Sequence, residues 1–596
     1  MTLDLPSNQP DHLPPICALF LIYFDTRAGY TIAWKRSLPA IELEGVVEYK
    51  SLPSGLHTVK EDLIYFVHED NAGLSAFVNA PAAEESRNAR MIAVGILVPL
   101  SYGRLGRSWK HAGKLKEMAN QLIADESKTQ VLEDFWEEHK AHDGSAPDVE
   151  NISPPDSPAS ITFKSIRTTT KRPKSQARNR SASDGTALLP PGHNLSAYHP
   201  AWSLPRLLET FGPLIFPIHR AALLRKRILI TTHAPVEETC NFVYDLSVLS
   251  NIPLAVSGLL ASTAPPQRLR PLFSIGVHDI PMLEDDLRAS KAAATMPVSE
   301  DLEDLDETGR GWIACTTDSI LAMKSSLYDV LITMPPPYSE EAAQKVWPKV
   351  ESPKGVEMKA TQRDLRRYRT LRWGLTHRVS PPTSPQTTRR ASTGDQSSER
   401  PRVTSVSSRD GPMLDIPDTD SIVEPLSWSA LAYSGFMWWA SAGEQRLHSD
   451  EESEADEALL SGLSLGPPKH PASNKTRSVS STSLKTDGAA RQEMGIIAYF
   501  HRLTTQILTT LSDIVDVMDS DDEREDGERL LLNGRDEEDD DDVPAVYINS
   551  ADVVRMGLDI WSPNDHAFVE EVAREYFGRR AQVDGGSVNV CGIRIC

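Results

Sequence analysis

Cysteine is scarce in this chain. The 596 residues carry five, at Cys17, Cys240, Cys315, Cys591 and Cys596. None forms a C-x-x-C pair, and two fall in expected buried strands, so a reducing compartment is the simplest reading. Positive charge is also short. The formal net charge of −22 argues against nucleic acid as a ligand, because phosphate binding needs a basic face. No G-x-x-x-x-G-K-[ST] run occurs, so nothing cradles a nucleoside triphosphate in the P-loop manner. Gly103-Arg104-Leu105-Gly106 lacks the third glycine and the later acid of a dinucleotide fingerprint. No H-E-x-x-H is present, and His193 and His199 read as solvated. No metal and no cofactor are therefore expected.

Long hydrophobic runs are missing too. Ile16 to Phe24 is far short of the ~20 apolar residues of a membrane span. Its acidic, proline-bearing approach makes a poor signal peptide. Residues 425–443 (PLSWSALAYSGFMWWASAG) are uncharged for nearly a span's length. Their tryptophans lie inside the segment and not at two interfacial belts, so a core or interface helix is expected and no transmembrane span.

What is present suffices for real cores, with a hydrophobic fraction of 40%. The 43 prolines and the Ser-rich runs exceed what one compact unit uses, so disordered inserts are expected. Continuous apolar strands are predicted at Ile16–Phe24, Leu63–Val67 and Arg90–Leu100. Leu43–His68 reads as strand, turn, strand, with Val46, Val47 and Tyr49 β-prone and Pro53-Ser54-Gly55 as the turn. Leu115, Met118, Ala119 and Leu122 keep helical spacing. From Tyr198 onward, strands at RKRILITT, LFSIGVHDI, WIACTTD and YDVLITM alternate with helices, which argues α/β with a partly parallel sheet. Arg363–Arg378 is basic and expected helical. Arg491–Met518 is the clearest helix, with Ile496, Phe500, Leu503, Ile507, Leu511, Ile514 and Met518 in step.

Catalytic motifs fail on context. Gly462-Leu463-Ser464-Leu465-Gly466 matches G-x-S-x-G, but no strand precedes it and prolines follow. Cys315 has no partner histidine in view and reads as a buried structural thiol. The basic run Arg104, Arg107, Lys110, His111, Lys114, Lys116 reads first as a solvated helix face. Its functional alternative is peripheral contact with an anionic membrane or an acidic partner.

The order FDTRAGY, W-K, LEGVVEYKSLPSG, EDLIYFV, continued by IPLAVSGLL and WIACTTD, resembles the DENN-domain family, in its LCHN-like branch. The resemblance implies a tripartite DENN-like α/β fold: an upstream longin-like lobe at 16–140, a central lobe at 198–334 and a downstream, mostly helical part at 335–596. A disordered N-terminus is expected at 1–15 and a disordered basic linker at 141–197. Further disordered inserts are expected near 381–410, 448–487 and 519–542, and the segments 141–197, 381–410 and 448–487 are also expected to be regulatory phosphorylation targets. The resemblance also implies function. It points to guanine-nucleotide exchange on a Rab-type small GTPase held between the upstream and central lobes, in the cytoplasm or peripherally on trafficking membranes. The alternative is a non-catalytic scaffold or subunit of a trafficking complex. Exchange needs no covalent catalytic residue. Lys60, Glu61 and Asp62, where the turn feeds the next strand, are the expected partner-binding edge.

Overall fold

The computed structural model describes residues 13–25, 29–80, 90–141, 195–293, 311–342, 344–379, 419–426, 430–431, 442–460, 481–532, 545–584, 589–590 and 593–594. The expected inserts at 141–197 and 381–410 lie almost wholly outside them, as do the G-x-S-x-G run and most of 425–443.

The first strands form where the apolar runs are uninterrupted. β1 (Ala18–Asp25) pairs antiparallel with β2 (Gly29–Ser37) and with a later strand, and Ala18, Leu19, Phe20 and Ile22 are wholly inaccessible to solvent. The predicted strand at Val46–Tyr49 is instead a short helix, α1 (Val47–Lys50). The reason is local: the Gly45 N–H donates to Glu48 Oε1 at 2.7 Å and closes a turn that overrides β-propensity. Gly55 takes φ +89 in the expected turn, a conformation that favours glycine. β3 (Glu61–His68) and β4 (Asn71–Ala80) make a hairpin, and β5 (Arg90–Pro99) lies between β4 and β1. α2 (Ala112–Ala124) covers β4 and β5 with its expected apolar face, and α3 (Gln130–His139) follows.

The central region begins with α4 (Leu204–Phe211) and α5 (Ile215–Leu223). β6 (Ile228–Thr231), α6 (Glu237–Leu249), α7 (Leu254–Ser257), β7 (Arg270–Ser274), α8 (Ile280–Ala293), β8 (Trp312–Thr316), α9 (Ser319–Met323) and β9 (Val330–Thr333) then alternate. β6 to β9 run parallel, as that alternation demands, and β10 (Lys349–Glu351) adds antiparallel to β9. Both regions share one ten-stranded sheet, ordered β10-β9-β6-β8-β7-β3-β4-β5-β1-β2. The junction between them is one antiparallel pair, Phe66 of β3 with Phe273 of β7. The Phe66 ring occupies the space over Gly73, where a Cβ would stand 2.2 Å from it. Phe273 itself holds φ +57, so the seam carries backbone strain at a buried aromatic residue.

The remaining helices wrap the central region. They are α10 (Gln362–Val379), α11 (Ala442–Leu460), the long α12 (Ser481–Leu532), α13 (Ser550–Arg555) and α14 (Pro563–Phe577). β11 (Val546–Ile548) and β12 (Ala581–Val583) pair parallel beside them, and residues 589–590 and 593–594 form a two-residue ladder where one closing strand was predicted. α12 buries Ile496, Phe500, Leu503, Ile507 and Leu511, as their spacing predicts. Helices enter two of the expected inserts. Residues 448–460 belong to α11, 481–487 and 519–532 belong to α12, and the rest of both inserts lies outside the described residues. For α11 the cause is tertiary. Asp456 receives Arg363 at 2.6 and 2.8 Å and Arg367 at 3.1 Å, and Leu459 and Leu460 are buried. An acidic stretch that reads as solvated is thus neutralised by the basic helix α10.

Candidate partner-binding cleft between the lobes

Helix α6 is held at both ends by distant parts of the chain. At its start, the Val236 and Glu237 N–H groups donate to the Asp62 carboxylate at 2.7 and 3.1 Å, and Leu63 N–H adds a third bond at 2.9 Å. An anion at a helix N-terminus satisfies donors that have no partner within the helix. At its end, successive carbonyls are taken by separate elements. Arg104 Nη2 reaches Ser247 O at 3.4 Å, and His501 Nε2 lies 2.9 Å from Val248 O. His219 Nε2 lies 3.2 Å from Leu249 O, and Arg225 Nη1 donates to Ser250 O at 3.1 Å. Carbonyls only accept, so both imidazoles donate from Nε2. The upstream lobe, α5 and α12 therefore meet on one helix.

This convergence buries ionisable groups. Burial pushes Glu493 up to about 8 and Asp62 up to about 7, with the three backbone donors opposing it at Asp62. It pushes His219 down to about 3 and His501 down to about 4. In the unfolded chain such carboxyls lose their protons near pH 4 and histidines near 6.5. Above pH 4 the folded acids hold protons that the unfolded ones have released, so their contribution falls as pH rises toward 8. The folded histidines stay neutral where the unfolded ones charge, so stability also falls as pH drops below about 6.5. The expected optimum for these groups is about pH 5, and Glu493→Gln should flatten the alkaline limb by about 2 kcal/mol between pH 6.5 and 8.5. Urea midpoints across pH read this directly, and an unchanged alkaline limb in the variant would contradict it.

Beside the seam lies an open cleft of about 140 Å³. One wall is the α1 segment, from Tyr49 to Ser54, with Tyr30 of β2. The other is the loop after β7, Ser274 to Asp279, with Asp318 after β8. The cleft thus sits at the carboxyl ends of parallel strands, where open α/β sheets present their binding crevices. Lys50 Nζ pairs with Asp279 Oδ1 at 2.7 Å and donates to Val67 O at 2.6 Å. Ser54 Oγ donates to Asp318 Oδ1 at 2.5 Å, and Val277 N–H donates to Asp318 Oδ2 at 3.2 Å. Tyr49 stacks on His278 with ring centroids 4.0 Å apart and an interplanar angle of 22°. Burial, and then the charge of Asp318, raise the Tyr30 phenol above its ordinary range. Nothing in the sequence marked this cleft, because its walls come from residues more than two hundred apart.

The structure separates the three residues predicted as a partner-binding edge. Lys60 and Glu61 are exposed, whereas Asp62 is 2% exposed and faces α6. The basic run is likewise divided. Arg104 crosses to Ser247 and to Asn251 Oδ1, and His111 is buried against Pro14 O at 2.8 Å. Lys114 pairs with Glu117, and Lys116 lies over the Tyr198 ring. This is neither a solvated face throughout nor a free basic patch. Cys315 is buried with its Sγ 3.6 Å from that of Cys240. Among the described residues no His, Cys, Asp and Glu group could hold a metal ion, and no helix is long and apolar enough to cross a membrane.

Comparison with known proteins adds the following. The family model of DENN domain-containing protein 11 matches residues 19–344, and that of a domain of unknown function, DUF4484, matches residues 423–596. The chain is 31% identical over 335 residues to DENN domain-containing protein 11 of Xenopus laevis, covering 55% of this chain and 61% of that protein. Identity to the Danio rerio protein of the same description is 32% over 324 residues, 53% of each chain. The chain therefore spans between half and two thirds of the length of these relatives. A Saccharomyces cerevisiae protein described as uncharacterized protein ANR2 is 22% identical over 630 residues, covering 99% of this chain and 96% of that protein.

Proposed function

Because this chain belongs to the DENN domain-containing protein 11 family, we propose that it binds a Rab-type small GTPase across the cleft between its lobes and promotes GDP release. The observation that carries this reading is the cleft itself, which both lobes build at once. Such a protein needs no nucleophile, acid or metal. A GTPase holds its nucleotide through phosphate and magnesium contacts. A protein that binds the nucleotide-free form better must weaken nucleotide binding by the same factor. A broad surface with several anchors supplies that difference. Lys60 and Glu61 are exposed and belong to the proposed contact, while Asp62 ties β3 to the start of α6 across the lobe boundary. The same family membership supports a role at trafficking membranes in the cytoplasm.

The test is release of a fluorescent GDP from a panel of purified Rab-type GTPases. The full chain is expected to weaken the nucleotide affinity of its cognate GTPase by roughly 5- to 150-fold. A Lys60→Glu, Glu61→Lys variant, with Asp62 intact, is expected to slow release. Binding without release from any GTPase would favour the non-catalytic scaffold, and normal release by the double variant would remove those two residues from the contact.

A further inference from the structure

We propose that the interlobe cleft receives an arginine side chain of a protein partner, seated between Asp318 and the Tyr49–His278 stack. Three observations point to a guanidinium. The first is charge. Lys50 and Asp279 cancel each other at 2.7 Å, which leaves Asp318 as the uncompensated charge of the cleft. No cation pairs with Asp318 among the described residues. Its oxygens accept from Ser54 Oγ and Val277 N–H. A carboxylate offers about four lone-pair sites, so acceptor capacity remains for a donor entering the cleft.

The second is shape. Tyr49 is 40% exposed and lies nearly parallel to the exposed His278 ring. An exposed aromatic stack beside a carboxylate suits a planar cation, because arginine both stacks on aromatic faces and forks onto carboxylates. A lysine ammonium is a compact, strongly hydrated point charge and uses only half of this arrangement. The third is size. A cavity of about 140 Å³ is several times what one water needs, so a side-chain head fits. Both walls touch the occupant, so a bound arginine bridges the upstream and central lobes. The inference names the chemistry of the partner at the same cleft as the exchange reading and rests on that reading only for the location.

The experiment uses no GTPase, so its failure is separate from failure of exchange. N-acetyl-arginine amide, N-acetyl-lysine amide and N-acetyl-citrulline amide are titrated against the full chain by saturation-transfer NMR. The arginine probe is expected to bind. Citrulline, its neutral isostere, is expected to bind about tenfold more weakly, as loss of a close charge pair requires. Asp318→Asn and Tyr49→Ala are each expected to weaken the arginine probe without changing the melting profile. Equal binding of citrulline or lysine, no binding of arginine, or undiminished binding by both variants would overturn the proposal. Should Asp318→Asn disturb folding through its bond to Ser54, Tyr49→Ala alone decides, since that ring is partly exposed and no hydrogen bond to it is involved.

Discussion

Asp456→Ala is expected to destabilise the protein by about 3–5 kcal/mol, the range for leaving buried charge unpaired. The Asp456 side chain is almost inaccessible and is shared by two arginines of α10 that are themselves buried. Burial by itself would raise its carboxyl, but Arg367 and Arg363 override this and hold it below the ordinary carboxylate range. Their stabilising contribution is therefore complete above pH 4 and lost only as pH falls through the depressed value. Removing the carboxylate leaves the buried Arg367 guanidinium over the Phe216 ring and against Gly557, and leaves Arg363 with the more distant Glu452 carboxylate at 3.8 Å. Arg367 cannot swing away easily, because its Nη2 already fills the space where a Cβ on Gly557 would stand. The check is urea unfolding at pH 7. A loss below 1 kcal/mol would mean that α11 does not depend on this contact. The neighbouring bidentate pair of Arg220 with Asp364, at 2.9 and 2.6 Å, should remain intact and provides the internal comparison.

Asp62→Ala has the second large effect. It leaves the buried N–H groups at the start of α6 without their acceptor, at a cost of about 2–3 kcal/mol. Asp62→Asn should cost less, since its amide oxygen still accepts one of the bonds. The functional consequence should exceed the thermodynamic one. Asp62 stands on β3 of the upstream lobe and its partners stand on the central lobe, so the substitution loosens a junction that also rests on the Phe66–Phe273 pair, the Lys50–Asp279 ion pair and the Arg104 bonds to Ser247 and Asn251. On the proposed exchange activity, GDP release is expected to fall in the order wild type, Asp62→Asn, Asp62→Ala, at temperatures where all three remain folded by circular dichroism. Equal release by folded wild type and Asp62→Ala would show that lobe angle does not govern exchange.

Both effects explain why parts of the molecule were hidden in the sequence. A carboxylate at a strand start reads as an exposed edge, and Asp62 differs from Glu61 only in the face of β3 it occupies. Strand alternation sends neighbours to opposite sides. Only the arrival of α6 from 174 residues away makes one side an interior. Likewise, an acidic stretch and an arginine-rich stretch each read as solvated. Together they make the buried pairs of α10 and α11, because burial becomes affordable only when the charges meet. The α1 segment misled for the opposite reason: a single short-range bond from Gly45 to Glu48 outweighed the β-propensity of Val46, Val47 and Tyr49.

The sequence by itself determined the elements whose cause is local and apolar. The runs at β1, β3 and β5 are strands because no face of them tolerates water, and α12 is a helix because its apolar residues recur every three or four positions. The alternation of strands and helices likewise determined the α/β class and the parallel pairing of β6 to β9. Tertiary structure alone decided that two regions share one sheet, that α6 is gripped from both ends, and that a cleft opens beside the seam. The physical reason is range. Apolar burial and helical periodicity act within a few residues and leave a pattern, whereas hydrogen bonds and charge pairs between distant segments depend on geometry that no local spacing encodes.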